Sequence, residues 1–542
     1  MPQNGKDVQF RFQERTMMVT QSRFATPVTS ACLVVLLLVT LIAVSHAAPA
    51  AGSGFVRADG RWFVDDEGRV LMLHGVNLLP PWPAKDEVIT LGKSGFNSVR
   101  YVIRWDAIEP QPGQYDDAYL DKVAERLEWC REAGLRVILD MHQDLYAPKY
   151  GADGAPDWAC LDDGQPHQPV PGAWFMTYFS PAVMRAFDNF YANKPGPGGV
   201  GIQDRYIAMW QHIANRFRDD PNVIGYDIMN EPSYGSALTA VMASIIAAAA
   251  RDLGPESGAK LAGIFANPDN AFVIVSDAIQ ELTKKGSLFT VLDAAGGPAR
   301  EFEKKTLQGF YDRIACAIRE VDPNHIIVLE TPMGDMSGTR MLSALQPPKG
   351  PDGKPLPNTV FSPHFYDFSS DFNFEYAGKV EYVRRFLARA SASGDAMNVP
   401  TWFGEWGIWT NQAERPDGAV LAKHHVEALD QLLCGWAYWA YGSGFKNFAF
   451  LPALTEPYAQ AIAGVPTRMQ ATADTFELEF KPMPSGGETI IWVPQNYKAE
   501  TKVRFAGAGT ARTSRDPDGR IRVTTSPGAG TCTVTIGLTR KQ

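Results

Sequence analysis

At 542 residues the chain is too long for one ordinary domain and comfortable for two. Hydrophobic residues make up 45% and aromatic residues 11%, enough for a sizeable core, and a formal net charge of −9 argues against a nucleic-acid partner, since phosphate binding needs clustered Lys and Arg. The chain opens with Arg11, Arg15 and Arg23 ahead of an unbroken apolar run, ACLVVLLLVTLIAV at 31–44. That run is short for a bilayer span, which takes about 20 residues, and suits a signal-peptide core. Ser45, His46 and Ala47 place small residues around a cleavage point after Ala47. Residues 1–47 are therefore read as a cleavable signal peptide and the protein as secreted, with an uncleaved membrane anchor as the alternative. Cys32 lies inside the run, leaving Cys130, Cys160, Cys316, Cys434 and Cys532. None is in CxxC spacing, so no zinc or redox motif is offered, and an odd number leaves at least one thiol unpaired.

Next comes FVRADGRWFVDDEGRVL (55–71), which reads as a pair of hairpins with Asp-Gly and Glu-Gly turns, placed at a barrel floor. From about residue 70 to 465, strand-like apolar runs alternate with amphipathic helical ones. The runs are LMLHGVNL, NSVRYVI, RVILDMH, VIGYDIMN, IIVLET, TVFSPHFY, TWFGEWG and GWAYWAYG. Their near-continuous apolarity suits parallel strands covered on both faces. Between them, DAYLDKVAERLEWCREAG (117–134) puts Leu120, Val123, Leu127 and Cys130 on one face and ends at Gly134. Eight strand–helix units predict a (β/α)8 barrel. A doubly wound sheet is the competitor, and the first strand is not followed by GxGxxG. The barrel is longer than the typical ~250 residues, with insertions at 147–201 and 236–300 on the loops where barrel active sites form. The second insertion begins with the apolar helical segment SALTAVMASIIAAAARDL (236–253). Beyond residue 464, short alternating β-branched segments with Gly, Pro and Asp-Gly turns predict an antiparallel β-sandwich over 465–542, leaving 48–464 to the barrel.

Polar residues concentrate where the strands end. Arg100 lies in the second strand; His142, with Gln143 and Asp144 after it, ends the third; Asn230 and Glu231 end the fourth; His364 and Tyr366 end the sixth; Glu405 ends the seventh; Trp439 lies in the eighth. Taken singly each has a bland alternative: a salt-bridge partner for Arg100, a structural histidine for His142 or His364, core packing for Trp439, a helix cap for Glu405. Together, at the ends of successive strands, they point to glycoside hydrolysis, in which one carboxylic acid protonates the leaving oxygen and a second carboxylate attacks the anomeric carbon. Glu231 takes the first role and Glu405 the second. Asn230 is placed to bond the sugar 2-hydroxyl, and Arg100 and Tyr366 to hold Glu405 ionised. GxSxG, HExxH and P-loop motifs are absent, which disfavours α/β-hydrolases, zinc peptidases and nucleotide hydrolases.

The ordered set FNSVRY, YDIMNEP, SPHFY, FGEWG and AYWAY resembles glycoside hydrolase family 5 of clan A. DMHQDLY, GAPDWA and PAVMRAFDNFY are similar to the endoglycoceramidase group within it. The resemblance implies cleavage of the bond between oligosaccharide and ceramide in glycosphingolipids with retention, and no metal or cofactor. It implies sugar contacts from Asn230, His142, Asp144, Tyr366 and Trp439, and a further one from Lys85, whose spacing from the GVN segment differs from the group's. FGEWG has Trp406 where the family usually has phenylalanine, so Trp406 and Trp409 are expected to alter the sugar subsites. The apolar segment 236–253 is expected to form a lipid-facing lip that touches micelles or membranes, the alternative being an extra core helix. A monomer acting on lipid substrate is expected. Endogalactosylceramidase, glucosylceramidase, sterylglucosidase and endoglucanase activities remain alternatives, as does a non-catalytic carbohydrate- or lipid-binding protein.

Overall fold

The computed structural model describes residues 54–541, apart from 171, 266–267, 336–339, 373, 409–415 and 443. Eight parallel strands form the centre: β1 (His74–Leu78), β2 (Ser98–Ile103), β3 (Arg136–Met141), β4 (Val223–Asp227), β5 (Ile326–Glu330), β6 (Thr359–Ser362), β7 (Trp402–Gly407) and β8 (Gly435–Tyr441). They are hydrogen-bonded in the order β7-β8-β1-β2-β3-β4-β5-β6. The remaining seam, β6 to β7, is bridged at Phe361–Thr401 and His364–Glu405. Phe361 N–H donates to the Pro400 carbonyl at 3.0 Å and Phe365 N–H to the Glu405 carbonyl at 3.1 Å. The seam thus fixes the backbones of His364 and Glu405 side by side.

The (β/α)8 barrel anticipated from the sequence is present, and its strands are buried on both faces as their apolar runs require. The helix Asp117–Glu132 buries the Leu120, Val123, Leu127 and Cys130 stripe, and the Asp116 carboxylate caps it by accepting from the Tyr119 N–H. All five described cysteines are free thiols, four of them buried. They act as small core residues.

Below the barrel, two antiparallel sheets pack on one another. A four-stranded sheet comprises Gly464–Ala471, Thr475–Pro482, Thr531–Arg540 and Tyr497–Ala506. The other has seven strands, and three of them come from the N-terminal hairpins. Val70–Leu71 pairs with Tyr458–Ile462, which pairs in turn with Gly487–Trp492. Segments that precede and follow the barrel in sequence therefore share one sheet. Val70, Met72, Phe476, Trp492, Val534 and Ile536 belong to the core between the sheets. Phe63 and Leu71 join Ile138, Ile224, Val328 and Trp402 in the barrel's lower core, so the hairpins do close the floor.

The loop entering β2 is clamped to this lower layer. Tyr458 Oη donates to the Gly95 carbonyl at 2.7 Å and Gln460 Nε2 donates to it at 3.0 Å. Gly95 has φ +103°, and a Cβ there would come within 2.3 Å of the Trp492 indole. Both the conformation and the close approach require glycine. Gly95→Val is expected to cost about 2 kcal/mol or more of unfolding free energy by strain and overpacking, read from urea melts. A loss under 0.5 kcal/mol would mean that this clamp is slack.

Candidate active site

Arg100 is the hub. Its side chain points into the barrel from β2 and is fully buried. An unpaired guanidinium there would be prohibitively costly, so every arm is engaged. Nε donates to Asp227 at 2.8 Å; Nη1 to Asn77 at 3.1 Å and Glu405 at 2.6 Å; Nη2 to Asn230 at 2.9 Å and Glu330 at 2.6 Å, with Asp140 at 2.8 Å. Asp140, Asp227 and Glu330 come from β3, β4 and β5, where each interrupts an otherwise apolar run. Burial and the charge of Glu330 push the Asp227 carboxyl well up. Burial also acts on Glu330, but His364 and Arg100 outweigh it and hold that carboxylate down at about 2. The pair therefore keeps a proton on Asp227 and a charge on Glu330.

That charge positions Glu231. Glu330 accepts the Glu231 backbone N–H at 2.7 Å, while Gln143 Nε2 donates to the carbonyls of Asn230 at 2.7 Å and Glu231 at 3.0 Å. The turn puts Glu231 at φ +38°, an uncommon conformation for a residue with a side chain. Its carboxylate meets His364 Nδ1 at 2.9 Å. His364 also faces Glu330 at 3.3 Å and Glu405 at 3.7 Å. Burial lowers the proton affinity of His364, but these carboxylates prevail and raise it well above the usual range, so the ring is an imidazolium. Gly404 makes room for that ring, since a Cβ there would lie 2.8 Å from His364 Nε2.

Glu405 accepts from Arg100 through Oε1 and from Tyr366 Oη at 2.8 Å through Oε2. Burial, helped by Glu231 and opposed by His364 and Arg100, leaves its carboxyl raised to about 7. Oxygens of Glu231 and Glu405 and a nitrogen of His364 all lie within 4.8 Å of one another. His142 donates or accepts through Nδ1 with Asp140 at 2.8 Å and stacks on Trp439, with ring centres 5.0 Å apart and planes 13° from parallel. Asp144 accepts from Tyr178 Oη at 3.2 Å.

The structure thus brings together Arg100, His142, Asp144, Asn230, Glu231, His364, Tyr366, Glu405 and Trp439. Lys85 is the exception. It starts an outer helix and pairs with Glu132 at 2.7 Å, both half-exposed, away from the cleft. A neighbouring acidic surface residue takes its charge. Trp406 is likewise no subsite residue: strand alternation turns it outward from Glu405, fully buried and stacked on His425 at 4.9 Å. Trp409 lies outside the described residues. Sequence reasoning missed Asn77, Asp140, Gln143, Asp227 and Glu330 as functional neighbours. The signal for three of them was a carboxylate inside a buried strand, which needs a cation nearby.

A cavity of about 400 Å³ adjoins the two glutamates. Its far wall is hydrocarbon: Ile245, Ile246, Leu261, Ile279, Leu288 and Phe372. These come from the insertion helices Leu238–Leu253, Pro255–Gly263, Ala271–Lys285 and Leu288–Leu292, and from the loop after β6. The first helix does not form an outward lip. Its Met242, Ile245, Ile246 and Ala249 face the cavity, while Thr239, Ala240, Ala243 and Ala247 face solvent. Its apolar length, which by composition would suit a membrane span over Gly235–Leu253, lines a cavity instead.

A (β/α)8 barrel with paired carboxylates, an arginine and histidines at its strand ends is a glycosidase arrangement. Residues 64–444 match the model of Cellulase (glycosyl hydrolase family 5), and the chain belongs to that family of glycoside hydrolases. It is similar to endoglycoceramidase I of Rhodococcus hoagii, 27% identical over 515 residues that cover 90% of this chain and 89% of that one. It is also similar to the endoglycoceramidase of Hydra vulgaris, 24% identical with 83% and 82% covered. Among solved structures, endo-glycoceramidase II from Rhodococcus sp. in complex with ganglioside GM3 superposes with a TM-score of 0.67 at 25% identity, covering 88% of this chain and 99% of that one.

Replacing Arg100 by Met strands several carboxylates in the barrel. A loss of about 3–5 kcal/mol at pH 7 is expected. Those carboxyls would then titrate higher in the folded than in the unfolded chain, so the folded state binds more protons and the deficit shrinks as pH falls from 7 to 5. Urea melts across that range test the sign; a deficit that is constant or grows on acidification would contradict the hub.

Proposed function

We propose that this glycoside hydrolase cleaves the β-glycosidic bond joining glycan to ceramide in glycosphingolipids, with retention, releasing intact glycan and ceramide. The observation that carries this reading is the position of the Glu231–Glu405 pair, within 4.8 Å, at the polar end of a cavity whose remaining wall is mainly hydrocarbon. Retaining glycosidases place their carboxyl groups about 5–5.5 Å apart, closer than an interposed water allows. Ceramide carries two apolar chains, and each buried CH2 contributes about 0.8 kcal/mol. The ganglioside-bound relative supports the same substrate class.

In the first step Glu405 attacks the anomeric carbon while Glu231 gives its proton to the departing ceramide oxygen. Arg100 and Tyr366 keep the attacking carboxylate in place. In the second step Glu231 takes a proton from water, whose oxygen displaces Glu405 from the sugar. Asn230 donates to the Gln143 carbonyl at 3.0 Å and keeps its other Nδ2 hydrogen for the 2-hydroxyl. The stacked His142 and Trp439 rings and the Asp144 carboxylate form the sugar platform. Secretion, read from residues 1–47, and action as a monomer belong to this proposal.

Lipid reaches the cavity from an aggregate surface. Phe265 and Val273, 44% and 57% exposed, stand on the insertion next to Phe179 and the small apolar cluster of Val170, Met176 and Ile264. These two side chains are the contact with micelle or membrane. The double variant Phe265→Ser/Val273→Ser should lose about tenfold in kcat/KM on glycolipid in vesicles and keep turnover of a soluble aryl glycoside within about twofold. Equal loss on both substrates rejects the surface contact.

Incubation with lactosylceramide, glucosylceramide and a ganglioside, followed by identification of the products, tests the substrate. Intact oligosaccharide first released as the β-anomer, with free ceramide, is expected; turnover of cello-oligosaccharides with untouched glycolipids would mark an endoglucanase instead. Glu405→Gln should lower kcat by about 10³-fold or more. Only ionised Glu405 attacks, so the acid limb of kcat/KM reports its carboxyl. Glu231→Gln cannot protonate the leaving oxygen, so it should lose kcat/KM steeply on substrates with poor leaving groups and far less on an activated aryl glycoside. Equal loss on both refutes the pairing of roles.

A further inference from the structure

The apolar cavity holds one charged pair that glycosidic cleavage does not use. Arg389 and Asp335 both contribute to its wall, and are 5% and 6% exposed. Arg389 lies on the helix Val380–Met397, and Asp335 follows β5. Arg389 Nη2 bonds Asp335 Oδ2. Among the described residues, Nε and Nη1 of Arg389 and Oδ1 of Asp335 meet no partner. Two buried donors and one buried acceptor are thus held together at a wall whose other members are mainly hydrocarbon. Buried polar groups of this kind are normally satisfied, and a set left open beside a cavity marks a place for a ligand group.

The place adjoins the reacting groups. The helix Val380–Met397 follows β6, and its Phe386 packs on Phe365, next to His364, with ring centres 5.0 Å apart. Arg389 lies three residues past Phe386, about 4.5 Å further along the helix at 1.5 Å per residue. Asp335 lies two residues past Met333, whose N–H donates to the carbonyl of Pro232, next to Glu231, at 3.1 Å. The pair thus lies within reach of the first few carbons beyond the glycosidic oxygen.

We infer that Arg389 and Asp335 form a recognition site for a hydroxyl carried on the hydrocarbon part of the lipid. A hydroxyl accepts from the guanidinium and donates to the carboxylate, which matches the open set, whereas a plain methylene chain leaves all three groups unpaired. The site rests on the glycosphingolipid reading and refines it: it selects among lipids by chain hydroxylation, not by glycan. Such discrimination is strong in enzymes because the unhydroxylated competitor leaves buried polar groups bare.

The test is a ratio of kcat/KM values measured on lactosylceramides that differ in one hydroxyl, at acyl carbon 2, at sphingoid carbon 4, or at neither. In the wild type, at least one hydroxylated lipid should be preferred by about tenfold, and which one identifies the source of the hydroxyl. In Arg389→Met/Asp335→Leu, an apolar replacement of the whole pair that such sites tolerate, the ratio should fall to about one. Arg389→Lys, which keeps the charge pair and loses the guanidinium fork, should fall between; it serves as the deciding variant if the double substitution does not fold. Hydrolysis of all three lipids at equal rates by the wild type, or an unchanged ratio in the variants, overturns the site and leaves the substrate class standing. No hydrolysis of any of them, with an aryl glycoside still turned over, overturns the substrate class and the site with it.

Discussion

One guanidinium in the barrel centre sets the geometry on which the rest depends. Arg100 has a fixed planar fork of donors, and each direction of the fork meets a side chain from a different strand. Because the group is fully buried, those strands cannot drift without leaving a charge unpaired. The hub therefore couples strand register to chemistry. It reaches Glu405 directly, and it reaches Glu231 through Glu330, which binds both Arg100 and the Glu231 backbone N–H. The two carboxylates are spaced by a common anchor, not by two independent rotamer choices.

The same network explains how two carboxyl groups share a small volume. His364 sits between them as an imidazolium, and Arg100 and Tyr366 take the remaining lone pairs of Glu405. Burial alone would neutralise Glu405; the cations oppose this, and the outcome near neutrality leaves that carboxyl responsive to the charge on its neighbour. A fully solvated pair would not sense one another so strongly, because water would screen them.

Much of this was legible in the sequence, and the failures have physical causes. Eight apolar runs define the barrel because parallel strands buried on both faces leave a continuous signature. Polar residues at their ends gave Arg100, His142, Asn230, Glu231, His364, Tyr366, Glu405 and Trp439 a common address. Asp140, Asp227 and Glu330 were overlooked inside strands read only for their apolarity, although a carboxylate in such a run demands a partner. Trp406 was misjudged because a strand's alternation, not its nearness to Glu405 in sequence, decides which face a ring occupies. Lys85 rested on the resemblance alone, with a spacing from GVN that already differed, and a resemblance says nothing of a competing Glu132. The joining of Val70–Leu71 to Tyr458–Ile462 pairs residues almost 400 apart, and no local pattern encodes that choice of partner.

The insertion after β4 illustrates a further limit of local pattern. Its apolarity was plain, but apolarity does not say which way a helix faces. Here the large side chains turn toward a cavity and the small ones toward water. This division suits the architecture. Strand ends are held by the barrel and carry groups that must be placed to fractions of an ångström; insertion helices have no such duty and can be shaped to a ligand's hydrocarbon. Polar and apolar ends of the proposed amphipathic substrate would then be read by separate parts of the chain. On the proposed lipid substrate, a change in the insertion would alter which hydrocarbon is accepted without disturbing Arg100 or the carboxylates it spaces, because none of the hub's partners lies on those helices.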